Sequence, residues 1–405
     1  MLLLLELLLL LFVLTGYILH KRIINFLSIF NGIWLIIILL YNLKLSYHLN
    51  ELSIRTITIL LWTFSSYGIG YLIIFMFYLP YYKNQIKITP YNVKKEKSIY
   101  FTDKFIKNSF YIIIFMLIVE TVYSKGFPLF WSLLKSNKTY FDFGIPTLHG
   151  ILMSYIIFFG TVLYYSIRKN FNKKYLIYFL IIICIPFLLV SRQLIITLIV
   201  QLFLLHNFTV KRLNIAKLIP VAVLVILIFG IVGNFRTGLD NFVRVAALKN
   251  EDIPYIFSGV YWVYIYLTMT ISNLNNLFGF SSFALGYGSN MLDFLLPTVI
   301  TNYLYNTDSF NKLYFLTDIN FTVSGYMPNP YMDFGIYGLV IYTTILGMLG
   351  CIIYHRYLIK QDLGSIFIYC VMLQIIVMSF FVDFLLYLPV SFQFVWILLL
   401  IKKDR

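Results

Sequence analysis

The sequence predicts an all-α polytopic membrane protein with about 11 transmembrane helices and one large outer loop between the eighth and the ninth. Of its 405 residues, 61% are hydrophobic and only 12% are charged. Soluble domains are about 45–50% apolar and about 25% charged, so this chain lacks the polar residues that cover a water-soluble surface. The apolar residues also recur in runs of the length that crosses a bilayer.

A transmembrane helix needs about 20 predominantly apolar residues, and eleven segments approach this length. They are residues 2–19, 23–41, 57–79, 108–123, 148–167, 176–190, 194–209, 216–233, 331–354, 364–380 and 382–401. Residues 2–19 are expected to remain as a span, because they lack the basic start and the small-residue cleavage site of a signal peptide. Residues 1–405 are therefore expected to form a single integral membrane domain.

The basic residues orient these spans. With the N-terminus outside, 21 of the 31 Lys and Arg residues fall on the inner side, which then carries a net charge of +17, against −2 outside. Cytoplasmic loops carry the excess of Lys and Arg in membrane proteins, so the imbalance supports a cytoplasmic C-terminus. Residues 80–107 form a basic cytoplasmic loop that suits anionic membrane lipids. The positive charge thus reports topology, and no nucleic acid is expected as a partner.

Residues 234–330 form the large outer loop. Within it, residues 255–278 are apolar but rich in Tyr, Ser, Thr and Asn, which favours an interfacial helix over a twelfth span. Loops of this length usually have a function or are disordered, and the many aromatic residues argue against disorder. The loop is a plausible carbohydrate-binding surface.

Three arginines on the outer side are candidates for binding an anion. Arg192 separates two apolar runs, and a guanidinium presents a fixed fork to phosphate or carboxylate oxygens. A hairpin turn at the surface, where Arg192 meets water, explains its position equally well. Arg236 follows the eighth span and Arg244 lies eight residues later, so a continuous helix would place both on one face. We expect these two arginines either to bind a phosphate-bearing lipid or to anchor the chain at the membrane interface.

Three further residues are candidates for acid–base chemistry. Asp333 opens the ninth span after Asn329 and Pro330, where it also suits the helix dipole. His149 lies at the outer start of the fifth span, and Glu120 lies near the outer end of the fourth. The five histidines and three cysteines show no metal-ligand spacing, so neither a metal nor another cofactor is expected.

Several of these features together resemble the bacterial O-antigen or oligosaccharide repeat-unit polymerases, the Wzy type. The similarity rests on about eleven spans, a large outer loop before the last three, Ser191-Arg192-Gln193 after the sixth span, residues 234–238 (NFRTG) after the eighth, and residues 331–338 (YMDFGIYG) at the start of the ninth. It covers most of the chain by topology, and its local motifs are short.

The resemblance implies a metal-independent glycosyltransferase at the outer face of the bacterial cytoplasmic membrane. Such enzymes transfer a growing glycan from polyprenyl diphosphate to the next lipid-linked oligosaccharide repeat unit, which builds O-antigen or capsule-like polysaccharide. On this basis Arg192 and Arg236, assisted by Arg244, would hold the diphosphate, and Asp333, His149 or Glu120 would be the base. A chain-length regulator and a flippase are the implied protein partners.

Two other functions fit the same topology. A flippase would transport the lipid-linked oligosaccharide across the membrane, but it should show two similar halves, whereas one long loop divides this chain unevenly. A ligase-type glycosyltransferase would move glycan to another acceptor, and the sequence does not separate it from a polymerase.

Overall fold

The computed structural model describes residues 1–85, 101–134, 136–210, 218–280, 285–296, 300, 303–304, 314–360 and 362–403. Within these ranges the chain is helical and forms no β-strand. The helices are α1 Leu2–His20, α2 Phe26–Asn42, α3 Ile54–Gln85, α4 Asp103–Ser124, α5 Pro128–Leu133, α6 Leu148–Lys169, α7 Lys173–Leu188, α8 Arg192–Val210, α9 Leu218–Thr237, α10 Leu239–Val245, α11 Ser258–Gly279, α12 Ser289–Leu295, α13 Pro328–Lys360, α14 Leu363–Val377, α15 Leu388–Ser391 and α16 Gln393–Lys403. Tyr140–Asp142 and Tyr255–Phe257 form 3₁₀ turns.

Five of the described helices are long and apolar enough to cross a membrane: Leu2–His20, Ile54–Pro80, Asp103–Ser124, Leu148–Lys169 and Pro328–Lys360. Shorter apolar helices accompany them, among them α2 and α14. Their outward-facing side chains include many exposed Leu, Ile and Phe residues, as expected where lipid replaces water. The chain is an all-α protein of membrane-embedded character.

The buried side chains form two clusters. The larger contains residues from α1, α2, α3, α11, α13 and α14, and the smaller joins α4, α6, α7 and α8. Close packing of α3 against α13 depends on glycines, since a Cβ added at Gly70 or Gly347 would lie 2.3 Å from a main-chain oxygen of the facing helix. Small residues permit this approach between apolar helices. The smaller cluster holds the candidate site.

The long loop before α13 contains α11, which packs along the connection between α2 and α3. The Leu45 N–H donates to the Tyr264 hydroxyl at 3.0 Å, and the Ser272 hydroxyl donates to the His48 carbonyl at 2.9 Å. Asn275 donates to the carbonyl of Glu51. Although α11 has 22 residues, it is not among the five described helices that are long and apolar enough to cross a membrane.

The last predicted span, 382–401, differs from a continuous helix. Only α15 and α16 are helical in this stretch, and Asp383 lies in the irregular segment before them with 2% of its surface exposed. Its carboxylate accepts hydrogen bonds from the Tyr342 hydroxyl at 2.8 Å and from the backbone N–H groups of Leu385 and Leu386. An Asp that bonds to backbone groups two and three residues ahead favours a turn over a helix, so the apolar helix in this stretch begins at Leu388 rather than at residue 382.

Candidate functional site

The antiparallel neighbours α4 and α6 bring two of the sequence-predicted residues into contact. Glu120, about one turn before the end of α4, is fully buried, and its Oε2 lies 2.9 Å from Nδ1 of His149, the second residue of α6. Some 16% of the His149 side chain is exposed. A buried carboxylate thus holds an imidazole that remains partly exposed at the protein surface.

A third side chain completes this arrangement. The Tyr140 hydroxyl lies 3.2 Å from the Nε2 atom of His149. If the imidazole is neutral and Glu120 ionised, Nδ1–H donates to the carboxylate and Nε2 accepts from the tyrosine. Nε2 is then the atom that can take a proton, and the carboxylate fixes its tautomer and orientation. The other oxygen of Glu120, Oε1, has no hydrogen-bond partner among the described residues.

The loop between α4 and α6 shapes the position of Tyr140. Thr139 and Asp142 form a reciprocal cap around the 3₁₀ turn, with the Thr139 N–H donating to the Asp142 carboxylate at 2.7 Å. This bond lowers the pKa of the Asp142 carboxyl below its ordinary value. Gly144 follows with φ 95°, and a Cβ there would lie 2.6 Å from the His149 ring. Only glycine allows the chain to pass so close to the imidazole.

Tyr140 also connects the pair to the start of α8. Ser191, the residue directly before α8, lies near its hydroxyl, and burial raises the pKa of the Tyr140 phenol above the ordinary value. Ser191 accepts from the backbone at the helix start, with the Ile195 N–H donating to its carbonyl at 3.1 Å. The network therefore runs from Glu120 through His149 and Tyr140 to the N-terminal turn of α8, where the helix dipole favours an anion.

Backbone strain lies on both sides of this network. Thr147, two residues before His149, has φ 71°, and Val190, two residues before Arg192, has φ 55°. A β-branched residue in this region is an uncommon conformation that costs on the order of 1–3 kcal/mol and occurs often at functional sites. The two strained residues directly precede the starts of α6, which contributes His149, and of α8, which follows Ser191.

Arg192 and Arg236 are placed by their backbones only, since their side chains lie outside the part of the chain that the structure describes. Arg192 is the first residue of α8, next to Ser191, and Arg236 lies in the last turn of α9. The end of α9 is held by Asn234, whose Oδ1 accepts from Trp262 Nε1 at 2.9 Å.

Arg244 lies in a different setting. The predicted helical continuation from Arg236 is wrong, because the chain breaks at Gly238 (φ 79°) before α10 begins. Arg244 donates to the Asn241 side chain at 2.8 Å and lines a cavity of about 910 Å³. The same cavity is lined by the carboxylates of Asp240, Glu251 and Asp252. Three negative charges around one guanidinium oppose the binding of a diphosphate.

Asp333 is fully buried and supports the loop before α13. Its Oδ1 accepts from the backbone N–H and side-chain amide of Asn290, at 3.0 and 2.7 Å, and its Oδ2 accepts from the Met291 N–H at 2.8 Å. The carboxylate thus binds the first turn of α12 rather than the start of its own helix. With both oxygens occupied by N–H donors, Asp333 is a poor candidate for a base.

Tyr140 and Ser191 were not singled out by the sequence. One weak signal for Ser191 was its position beside Arg192, whereas nothing distinguished Tyr140 from the other 33 tyrosines. Among the described residues, no group of three or more His, Cys, Asp or Glu side chains is arranged to hold a metal ion.

Comparison with known proteins gave no match to a family model, to a curated protein or to a solved structure. The candidate site therefore rests on its own geometry.

Proposed function

We propose that this chain is a membrane glycosyltransferase that joins polyprenyl-diphosphate-linked oligosaccharide repeat units into a surface polysaccharide of the O-antigen or capsule type. The observation that carries the proposal is the network from Glu120 through His149 and Tyr140 to the start of α8. It combines a candidate base with a helix N-terminus and an adjacent arginine, Arg192, that suit a diphosphate.

The proposed chemistry needs two things of the protein. The acceptor sugar hydroxyl gives its proton to Nε2 of His149, while its oxygen bonds to the anomeric carbon of the donor glycan. The bond between that carbon and the diphosphate oxygen breaks, and polyprenyl diphosphate leaves with the electron pair. Glu120 stabilises the imidazolium that forms, and Arg192 with the N–H groups at the start of α8 stabilises the charge on the leaving group.

The proposal includes a topology. Eleven membrane-crossing segments with the N-terminus outside and the C-terminus in the cytoplasm place the start of α8 at the outer face of a bacterial cytoplasmic membrane. The distribution of Lys and Arg supports this orientation. Reporter fusions within residues 234–330 should report an outer location, and a cytoplasmic location would overturn the scheme.

Gel analysis of surface polysaccharide from a deletion strain tests the function. Loss of a polymerase should leave glycans with one repeat unit in place of a ladder. Loss of all surface repeat units would indicate a flippase instead, and accumulation of free long polymer would indicate a ligase.

The three arginines provide a graded test in the complemented strain. Arg192→Ala and Arg236→Ala should abolish the ladder while the protein remains in the membrane. Arg244→Ala should have the smallest effect of the three, because Arg244 lies among carboxylates. An unchanged ladder from Arg192→Ala would refute the assigned diphosphate site.

A further inference from the structure

A second cavity, of about 720 Å³, lies between α4, α6 and α16. Its walls include Ile112 and Met116 of α4, Ile151 and Leu152 of α6, and Leu399 of α16. Phe101 and Thr102 line one end, and Leu148 lines the cavity at the start of α6. We call this cavity the α4–α6–α16 groove.

The groove is long and follows the helix axes. From Thr102 to Met116 the chain advances 14 residues, which corresponds to about 21 Å at a rise of ~1.5 Å per residue. This is about two thirds of the ~30 Å hydrocarbon core of a bilayer. Ile112, on the α4 wall, has 55% of its surface exposed, so the groove is open on the outside of the helix bundle.

The polar groups in the walls bond to the protein itself. The Tyr155 hydroxyl donates to Ser109 Oγ at 2.6 Å, and the Trp396 indole N–H donates to Ser154 Oγ at 2.9 Å. The other wall residues are mostly Phe, Ile, Leu and Met. A hydrocarbon occupant leaves these hydrogen bonds intact, whereas a polar occupant would have to compete for them.

One end of the groove meets the candidate site. Glu120 lies four residues after Met116, so the two side chains are on the same face of α4, one turn apart. On the facing helix, Leu148 lines the groove and His149 is the next residue. An apolar channel thus ends beside a buried carboxylate, an imidazole and the start of α8.

We propose that the α4–α6–α16 groove binds the isoprenoid chain of the lipid-linked substrate, with the diphosphate at the start of α8 and the reacting carbon beside His149. This inference rests on the proposed function. It is favoured over a bulk phospholipid chain because one end of the groove, at Met116 and Leu148, lies beside the site where the chain's own head group would react. The groove then fixes the distance between the membrane-embedded chain and the reacting carbon.

The chain enters from lipid rather than from water, so its binding gains packing contacts and little hydrophobic free energy. The effect on affinity should therefore be modest. The dependence of substrate binding on the length of the lipid chain should be a more sensitive measure than overall activity. Filling the groove should weaken binding of a long polyprenyl substrate by about tenfold. A geranyl-linked substrate, which is too short to extend along the groove, should be affected much less.

The test uses purified full-length protein in detergent and measures KM for the two lipid-linked substrates. Ile112→Trp fills the groove, and Ile118→Trp is its matched control, since Ile118 is 57% exposed on the same helix but does not line the groove. Ile112→Trp should raise KM for the long-chain substrate about tenfold with kcat unchanged, and Ile118→Trp should match the wild type. Equal KM values in both variants, or an equal rise for both substrates, would overturn the proposal.

A binding readout separates this inference from the proposed function. A polyprenyl diphosphate with a photoreactive group in its chain should label peptides from 101–116 and 148–158, and Ile112→Trp should reduce that labelling. Equal labelling by a photoreactive phospholipid would show that the groove is only a general lipid contact and would refute the proposal. Wild-type protein that is labelled but transfers no glycan would refute the proposed function and leave the groove assignment standing.

Discussion

Glu120 and Asp333 are both fully buried carboxylates near the ends of their helices, yet their surroundings differ. Both oxygens of Asp333 accept N–H donors, from Asn290 and Met291. Glu120 bonds through one oxygen to His149, and its second oxygen has no partner among the described residues.

The difference separates a structural role from a chemical one. A carboxylate saturated with N–H donors holds the backbone in place, and its removal leaves those donors without partners. A carboxylate paired with an imidazole instead directs the second nitrogen of that ring towards a substrate. The following predictions test whether this contrast is real, in order of expected effect.

The largest effect is expected from His149→Gln. Removal of the general base should lower the rate of glycan transfer by about 10²–10⁴-fold, because no other group near Nε2 takes up the acceptor proton. Turnover of lipid-linked substrate by the purified variant measures this loss. His206→Gln, another histidine replacement in a helix of the same cluster, is the control and should preserve the ladder. Full-length polymer made by the His149→Gln variant would refute the role of His149 as the general base.

Isosteric amides distinguish the two carboxylates by stability. Asp333→Asn must direct an amide NH₂ against an N–H donor in either orientation, so it should lower the free energy of unfolding by about 2 kcal/mol. In Glu120→Gln, the amide oxygen can take the place of Oε2 and still accept from His149. The NH₂ group then takes the place of Oε1, where no N–H donor opposes it. The melting temperature of this variant should therefore stay near that of the wild type. Glu120→Gln should still reduce turnover, because it stabilises an imidazolium less well. Equal melting temperatures for Asp333→Asn and Glu120→Gln would contradict the proposed difference between the two carboxylates.

Gly144→Ala tests the backbone that passes His149. A methyl group there would lie 2.6 Å from the ring and displace it, and the positive φ adds strain of about 1 kcal/mol. Gly238→Ala also has a positive φ, but its Cβ meets nothing within 4 Å. Gly238→Ala should lose only the stability that corresponds to backbone strain, Gly144→Ala should lose more because of the added clash, and only Gly144→Ala should lose most of its turnover. A comparable turnover loss in Gly238→Ala would attribute the effect to strain alone.

The smallest effect is expected from Tyr140→Phe. The hydroxyl bonds to Nε2 of His149, so its loss should loosen the imidazole and lower turnover about fivefold, which is the effect of about one hydrogen bond. Burial raises the pKa of Tyr140, so the phenol stays protonated into the alkaline range. The pH dependence of turnover should therefore keep its shape in the variant, and a shifted alkaline limb would contradict this role.

Much of the helical framework could be predicted from the sequence, because runs of apolar residues specify helices without reference to the rest of the chain. The predicted segments 2–19 and 148–167 correspond closely to α1 and α6. The helix in 382–401 begins later than predicted, because hydropathy does not reveal that Asp383 bonds to Tyr342 and to the backbone that follows it. Likewise, the break at Gly238 is a local backbone choice that the apolar pattern does not contain.

The sequence by itself determined the all-α class, the membrane-compatible apolar segments and the imbalance of charge, since each depends only on which residues lie near one another along the chain. Tertiary structure alone decided the pairing of Glu120 with His149 and the attachment of Asp333 to α12. Those contacts join residues far apart in sequence. They depend on how each helix is rotated and how closely it packs against its neighbours, and the periodicity of an apolar run in lipid leaves that rotation unspecified.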